Sequence, residues 1–186
     1  MLLQLRHEPD RSQPPISADD DQLPPVEPAR PEDAGAIAWL LRRCAPTCLP
    51  VPAERIAAGI DRYRVARIGS RVVASAAMQP LDDDGRRCEL RSVVVDPRLG
   101  HLGLGRRVVG AITAEARRAG AWLYCVTSQP RFFARLGFAP VAAERVPEKK
   151  ERRRWPLAKP RHTMVWRNGD PAVEEEIDAR AERRIA

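Results

Sequence analysis

Residues 88–107 read CELRSVVVDPRLGHLGLGRR, and three structural signals follow one another within them. Cys88 to Val95 is rich in β-branched and apolar residues and predicts a strand. Asp96-Pro97 ends it, because proline offers no N–H to a ladder. Gly100, Gly103 and Gly105 then make a loop, and from about Arg106 to Ala119 the side chains of Val108, Val109, Ile112 and Ala116 recur at helical spacing. Arg117 and Arg118 suit the negative end of that helix, and Gly120 suits the position just beyond it. Strand, glycine loop and helix in this order offer an anion the unpaired N–H groups of a helix start, and glycine lets a phosphate approach the main chain. Gly103 and Gly105 are the expected points of closest approach, with Arg106 and Arg107 adding charge behind them.

The loop excludes two familiar phosphate binders. A dinucleotide fingerprint orders its glycines G-x-G-x-x-G, whereas this loop reads G-x-x-G-x-G. A P-loop needs G-K-[ST], which Gly105-Arg106-Arg107 does not supply. A glycine loop alone is also compatible with a plain turn. Upstream, Val26 to Arg30 reads as a short edge strand, and Arg30-Pro31-Glu32-Asp33 leads into a helix bearing Ile37, Leu40 and Leu41 on one side. A second helix is expected from Pro52 to Asp61. Strands Tyr63 to Ile68 and Arg71 to Met78 flank the hairpin signal Gly69-Ser70. Downstream come a strand from Trp122 to Thr127, a short helix from Pro130 to Leu136, and a final strand pair, Ala139 to Val141 with Thr163 to Trp166.

Composition sets the outer bounds. The 186 residues suffice for one ordinary core, and 44% apolar content supports a globular domain over part of that length. Residues 1–25, with Pro14, Pro15, Pro24 and Pro25 and the acidic run Asp19 to Asp21, read as a disordered arm, and 169–186 as a charged helical tail. No apolar run is long enough for a membrane helix, and MLLQLRHEPDR turns charged too soon for a signal peptide. A cytoplasmic protein without membrane partners is the default expectation. The net charge of +7 has few aromatic companions (5%), so a stacking surface for single strands, and nucleic acid as a partner, are not expected. Cys44 and Cys48 lack a second pair at zinc spacing, so no metal is expected, and the four cysteines read as packed thiols.

Leu90 to Pro97 followed by Gly103-Leu104-Gly105-Arg106 resembles the acetyl-CoA motif of the GNAT family of N-acetyltransferases. Phe132 to Phe138 (FFARLGF) resembles that family's second CoA-side motif, and Ala29 to Ala34 (ARPEDA) is similar to its usual start. The resemblance implies an α/β (α+β) fold over residues 26–168. Its mixed, mostly antiparallel sheet has splayed parallel fourth and fifth strands and about four flanking helices. It implies acetyl-CoA as co-substrate, wedged between the strand ending at Val95 and the strand running from Trp122. Cofactor contacts are then expected from Val93, Val94 and Val95, from Leu102, Gly103, Leu104, Gly105, Arg106 and Arg107, and from Phe132. N–H groups near Val93 to Val95 would hold the oxyanion. One departure is plain: the family usually reads R/Q-G-x-G-x-G/A, and Gly100 and His101 stand at its first two positions.

The attacking amine needs a base, and Glu89 is the candidate. Strand alternation places Glu89 and Arg91 on one face, about 7 Å apart, which also allows an ordinary ion pair. Many family members use a tyrosine in the helix after the fifth strand, where this chain has Phe133. Tyr124, Ser128 and Cys125 are the remaining candidates to assist the leaving group. Within the family, Glu89 to Val95, Thr127 to Phe133 (TSQPRFF) and Val146 to Lys150 (VPEKK) resemble amino-acid acetyltransferases of the N-acetylglutamate synthase kind. That implies a small anionic amino acid as substrate and a stand-alone acetyltransferase domain. Arg91, Lys149 and Arg161 are the candidate carboxylate clamps, since arginine reads carboxylates through paired hydrogen bonds. Another amine (a drug or a protein N-terminus), or a CoA-binding interaction module, are the alternatives, and a homodimer is left open.

Overall fold

The structure is a computed structural model and describes residues 23–45, 48–142, 146 and 160–169. The strands are β1 (Val26–Pro28), β2 (Tyr63–Ile68), β3 (Arg71–Pro80), β4 (Arg87–Val95), β5 (Trp122–Thr127), β6 (Ala139–Pro140) and β7 (His162–Trp166). The α-helices are α1 (Ala34–Arg43), α2 (Ala53–Ala57), α3 (Leu104–Arg118) and α4 (Pro130–Ala134). One seven-stranded sheet runs in the order β1-β2-β3-β4-β5-β7-β6. All neighbours are antiparallel except β4 and β5. This is the mixed sheet with one parallel pair that the sequence implied.

Helices cover both faces of the sheet. Val73, Leu90, Leu123 and Met164 meet Leu104, Val108 and Ile112 of α3 on one side. Val65, Val72 and Val94 meet Ile37, Leu40 and Leu41 of α1 and Ile56 of α2 on the other. The run Val72 to Ala77 is therefore buried without interruption, as a strand covered on both faces must be.

The second expected helix breaks in two. After α2 the backbone at Gly59 leaves helical geometry, and a 3-10 turn, Ile60–Arg62, follows. Glycine's poor helix propensity explains the break. The long helix starts two residues earlier than read, at Leu104, because Gly103 takes a left-handed conformation (φ 78°) and acts as N-cap. Leu23, read as part of the arm, is buried in the α3-side core. The rest of the arm, and the tail beyond Gly169, lie outside the described residues.

Polar contacts tie down both ends of the scaffold. Asp33, buried before α1, accepts from the Arg30 main-chain N–H at 2.6 Å and from the Arg67 guanidinium, which also reaches Glu27 at 2.8 Å. Asn168 donates to Arg117 O at 3.1 Å, satisfying a carbonyl at the end of α3. Among the described residues no helix is long and apolar enough to cross a membrane.

Ile112 is fully buried between α3 and the sheet. Ile112→Ala should cost about 2–5 kcal/mol of stability, read as a lower urea midpoint with an unchanged slope.

Candidate active site

The site begins where pairing stops. β4 and β5 are joined at Arg87–Trp122, Cys88–Leu123 and Glu89–Tyr124, and past that pair the strands diverge. Ser92 sits in the left-handed region (φ 53°), and the β3–β4 register shifts beside it. Ser75 faces Val94 and Ala77 faces Arg91, so Ser92 and Val93 together oppose Ala76. This is a β-bulge, which bends a strand and frees its edge. The opening is a cavity of about 860 Å³ between the splayed strands, walled by the α1–α2 connection, the glycine loop and α4.

Main-chain direction follows from the ladder. The Asp96 N–H donates to Val73 O on β3 at 2.8 Å. Alternation then turns the N–H and C=O groups of Val95 and Val93 away from β3, toward the gap. Two thiols meet these carbonyls: Cys48 Sγ donates to Val93 O at 3.2 Å and Cys44 Sγ to Val95 O at 3.6 Å. Burial, reinforced by the negative charge of Asp96, pushes the Cys44 thiol up and keeps it a donor.

The loop leaving β4 hangs on Asp96. Its fully buried carboxylate accepts from the Arg98 main-chain N–H at 3.1 Å, from Arg98 Nε at 3.3 Å, and from Arg71. Burial would push this carboxyl up, but the Arg98 hydrogen bonds and the Arg71 charge together hold it below the ordinary value. The 3-10 turn Pro97–Leu99 follows, then Gly103 and α3. The first helical bond runs from the Arg107 N–H to Gly103 O, so the N–H groups of Leu104 and Gly105 lie ahead of the intrahelical ladder. A side chain at Gly105 would stand 3.3 Å from the Phe132 ring, tighter than ordinary contact.

Of the expected cofactor residues, Val93, Val94, Val95, Gly103, Gly105, Arg106 and Phe132 line the cavity. Leu102 and Leu104 are not on its wall; they turn into the core, where they anchor the loop from below. Arg107 also lies off the wall. Glu89 lines the cavity at the last paired position, the apex of the splay. Arg91 and Arg161 line it too, and Lys149 lies outside the described residues. Arg91 Nε and Arg161 Nε and Nη2 are buried without a hydrogen-bond partner among the described residues. Burial pulls the Arg161 guanidinium down from its usual value.

Tyr124 and Ser128 are not brought to the cavity. Tyr124 is buried with Trp122 and Val165, under the Arg87 guanidinium, at a paired position before the strands part, whereas Cys125, Val126 and Thr127 beyond it line the cavity. Phe133, edge-on to Phe132 and Phe138, occupies the cavity wall. Sequence reasoning missed Cys44, Cys48, Gln129 and Arg135 as wall residues. Arg135 lies inside the quoted FFARLGF run and could have been found there; the two cysteines reach the wall only through the tertiary packing of α1 and α2.

The sequence profile described as "Acetyltransferase (GNAT) family" matches residues 26–138, so the chain belongs to the GNAT acetyltransferase family. Among solved structures, N-acetylglutamate synthase from Neisseria gonorrhoeae, complexed with coenzyme A and N-acetyl-glutamate, is 20% identical with a TM-score of 0.65. The match covers 76% of this chain and 34% of that one, so this chain spans about a third of the synthase. The Rv2747 protein of Mycobacterium tuberculosis, solved in complex with CoA, is 25% identical with a TM-score of 0.63, covering 77% of this chain and 98% of its own. The ribosomal-protein-S18-alanine N-acetyltransferase of Escherichia coli is 18% identical with a TM-score of 0.59, covering 76% and 91%. No curated protein matches the sequence.

Two outcomes follow for the loop. Gly103→Val puts a β-branched residue at φ 78° and should abolish CoA binding by calorimetry while leaving a folded protein. Asp96→Asn should cost about 1–3 kcal/mol near neutral pH. Because the folded carboxyl titrates below 3.8, that contribution is present above this value and lost as pH falls through the folded one. The melting-temperature gap between wild type and Asp96→Asn should therefore close below about pH 4.

Proposed function

We propose that the protein transfers the acetyl group of acetyl-CoA to the amine of a small anionic amino acid, glutamate or a close analogue. The observation that carries this reading is a pair of half-buried arginines on the cavity wall, Arg91 with its Nε and Arg161 with its Nε and Nη2 buried and unmatched by the described residues. A buried donor without a partner is costly unless a ligand supplies the acceptor, and a carboxylate is the acceptor that suits a guanidinium best. Glu89 is the acidic residue on the same wall among the described residues. The Neisseria synthase, solved with N-acetyl-glutamate, supports the same substrate class by its fold.

The chemistry assigns a role to each group. The N–H groups of the loop and the first turn of α3 take the diphosphate. The pantetheine arm enters the splay and lies along the free edge of β4. The main-chain N–H groups of Val93 and Val95 polarise the thioester carbonyl and hold the oxyanion after attack. Glu89 removes the amine proton, directly or through one water. Arg91 and Arg161 hold the substrate carboxylates, with Lys149 as a third cation in this proposal. The thiolate leaves without a phenol: a thiol has a pKa near 8.5, so Phe133 can replace a proton donor at modest cost in rate.

Thiol release from acetyl-CoA, measured against a panel of glutamate, aspartate, glutamine, lysine, a polyamine and an N-terminal peptide, tests this reading. Glutamate or aspartate should give the highest kcat/KM; a preference for the polyamine or peptide would refute the substrate class. Arg161→Ala should raise the KM for the preferred amino acid roughly 10- to 100-fold and leave that for acetyl-CoA nearly unchanged. Glu89→Gln should lower kcat by about 10²- to 10⁴-fold with little change in the KM for acetyl-CoA.

A further inference from the structure

We propose that His101 takes the place of a fixed cation on the diphosphate of acetyl-CoA, so that the cofactor binds together with a proton. The inference rests on the acetyl-CoA reading above and adds a linkage to it.

The geometry starts at Gly100. A side chain there would meet nothing closer than Pro97 O at 3.6 Å, so the fold leaves room that this chain does not fill. The next residue carries the side chain at this point of the loop. Leu102 is anchored by its N–H to Leu99 O at 3.1 Å and by burial in the core, and this holds His101 on the outside of the turn. His101 is exposed and lines the cavity beside Gly100, Gly103 and Gly105, at the mouth of the diphosphate cradle.

Neighbouring charges do not duplicate this position. Arg98 is turned back onto Asp96 through Nε and Nη2 and does not line the cavity. Arg107 is off the wall as well. Arg106 from α3 and Arg135 just beyond α4 do line the cavity, and each is a permanent cation. From β4, Asp96 is charge-matched by Arg98 and Arg71. Glu89 lies six residues before Val95, on the order of 15–20 Å along the strand, and Arg91 and Arg161 stand with it toward the splay. Cys44, facing from α1, is held protonated. Among the described residues His101 is therefore the histidine on the cavity wall.

A diphosphate diester does not titrate near neutrality, whereas an imidazole changes charge between about pH 5 and 8. An anion in contact favours the imidazolium, which donates from both nitrogens. Binding then raises the imidazole pKa and takes up a proton, so affinity is greatest at low pH and falls as pH rises through the imidazole range.

The probe is 3′-dephospho-CoA, which lacks the phosphomonoester that would itself titrate. Its binding is measured by calorimetry near pH 6.5 in two buffers of different ionisation enthalpy, and its affinity at about pH 5.5 and 7.5. Wild type should take up a fraction of a proton per site and bind about three- to tenfold more tightly at the lower pH, the change for an imidazole shifted by about one unit. His101→Gln should bind with no proton uptake and a flat pH profile, and His101→Arg should bind tightly with an equally flat profile. His162→Gln, which alters an exposed histidine off the cavity wall, should keep the wild-type uptake. Wild-type binding without proton uptake, or uptake that survives in His101→Gln, overturns the inference and leaves the acetyl-CoA reading standing. No binding by wild type at either pH removes both.

Discussion

Three residue pairs hold β4 to β5, and then the ladder ends. A parallel pair that continued would bury the main-chain groups of both strands in each other. The bulge at Ser92 and Val93 prevents this by placing two residues against one on the β3 side. A free strand edge inside a protein is expensive unless something completes it. Here the α1–α2 connection gives partial completion through the Cys44 and Cys48 thiols on the Val95 and Val93 carbonyls. The N–H groups on that edge remain available to a ligand with an extended, amide-bearing arm. The cavity, the free edge of β4 and the position of Glu89 at the apex are consequences of that single interruption.

Charged residues divide into two groups by whether the protein satisfies them. Asp33 with Arg67, and Asp96 with Arg71 and Arg98, are buried acids fully engaged by guanidiniums. Each ties a segment to the sheet just before a helix, α1 in one case and the loop into α3 in the other, and these are scaffold interactions. Arg91 and Arg161 carry buried N–H groups that the described residues leave unmet. Both also line the cavity, which is what sets them apart from the two scaffold pairs.

Two family features are altered in this chain, and the chemistry tolerates both. Phe133 stands where a phenol is common, and its ring completes an aromatic cluster with Phe132 and Phe138. A thiolate leaves readily enough that packing can take precedence over proton donation. Gly100 stands where an arginine is common, while Gly103 and Gly105 still set the start of α3.

Much of this was legible in the residues alone. β2 and β5 have the bounds that hydrophobic patterning assigned, and the glycine loop precedes the long helix as read, because backbone preference and turn chemistry are local properties. The two-residue shift at Leu104 and the break at Gly59 are also local, but they depend on a left-handed glycine and a helix interruption that periodicity does not register. The placement of Tyr124 depends on where the β4–β5 pairing stops, which no residue pattern records. Neither the arrival of Cys44 and Cys48 on β4 nor the unmatched state of Arg161 has a sequence signal. Both arise when segments 45 to 113 residues apart are brought together. Burial and partner count belong to three-dimensional packing, so the residues could name a family of sites while only the folded chain shows which charges are left for a ligand.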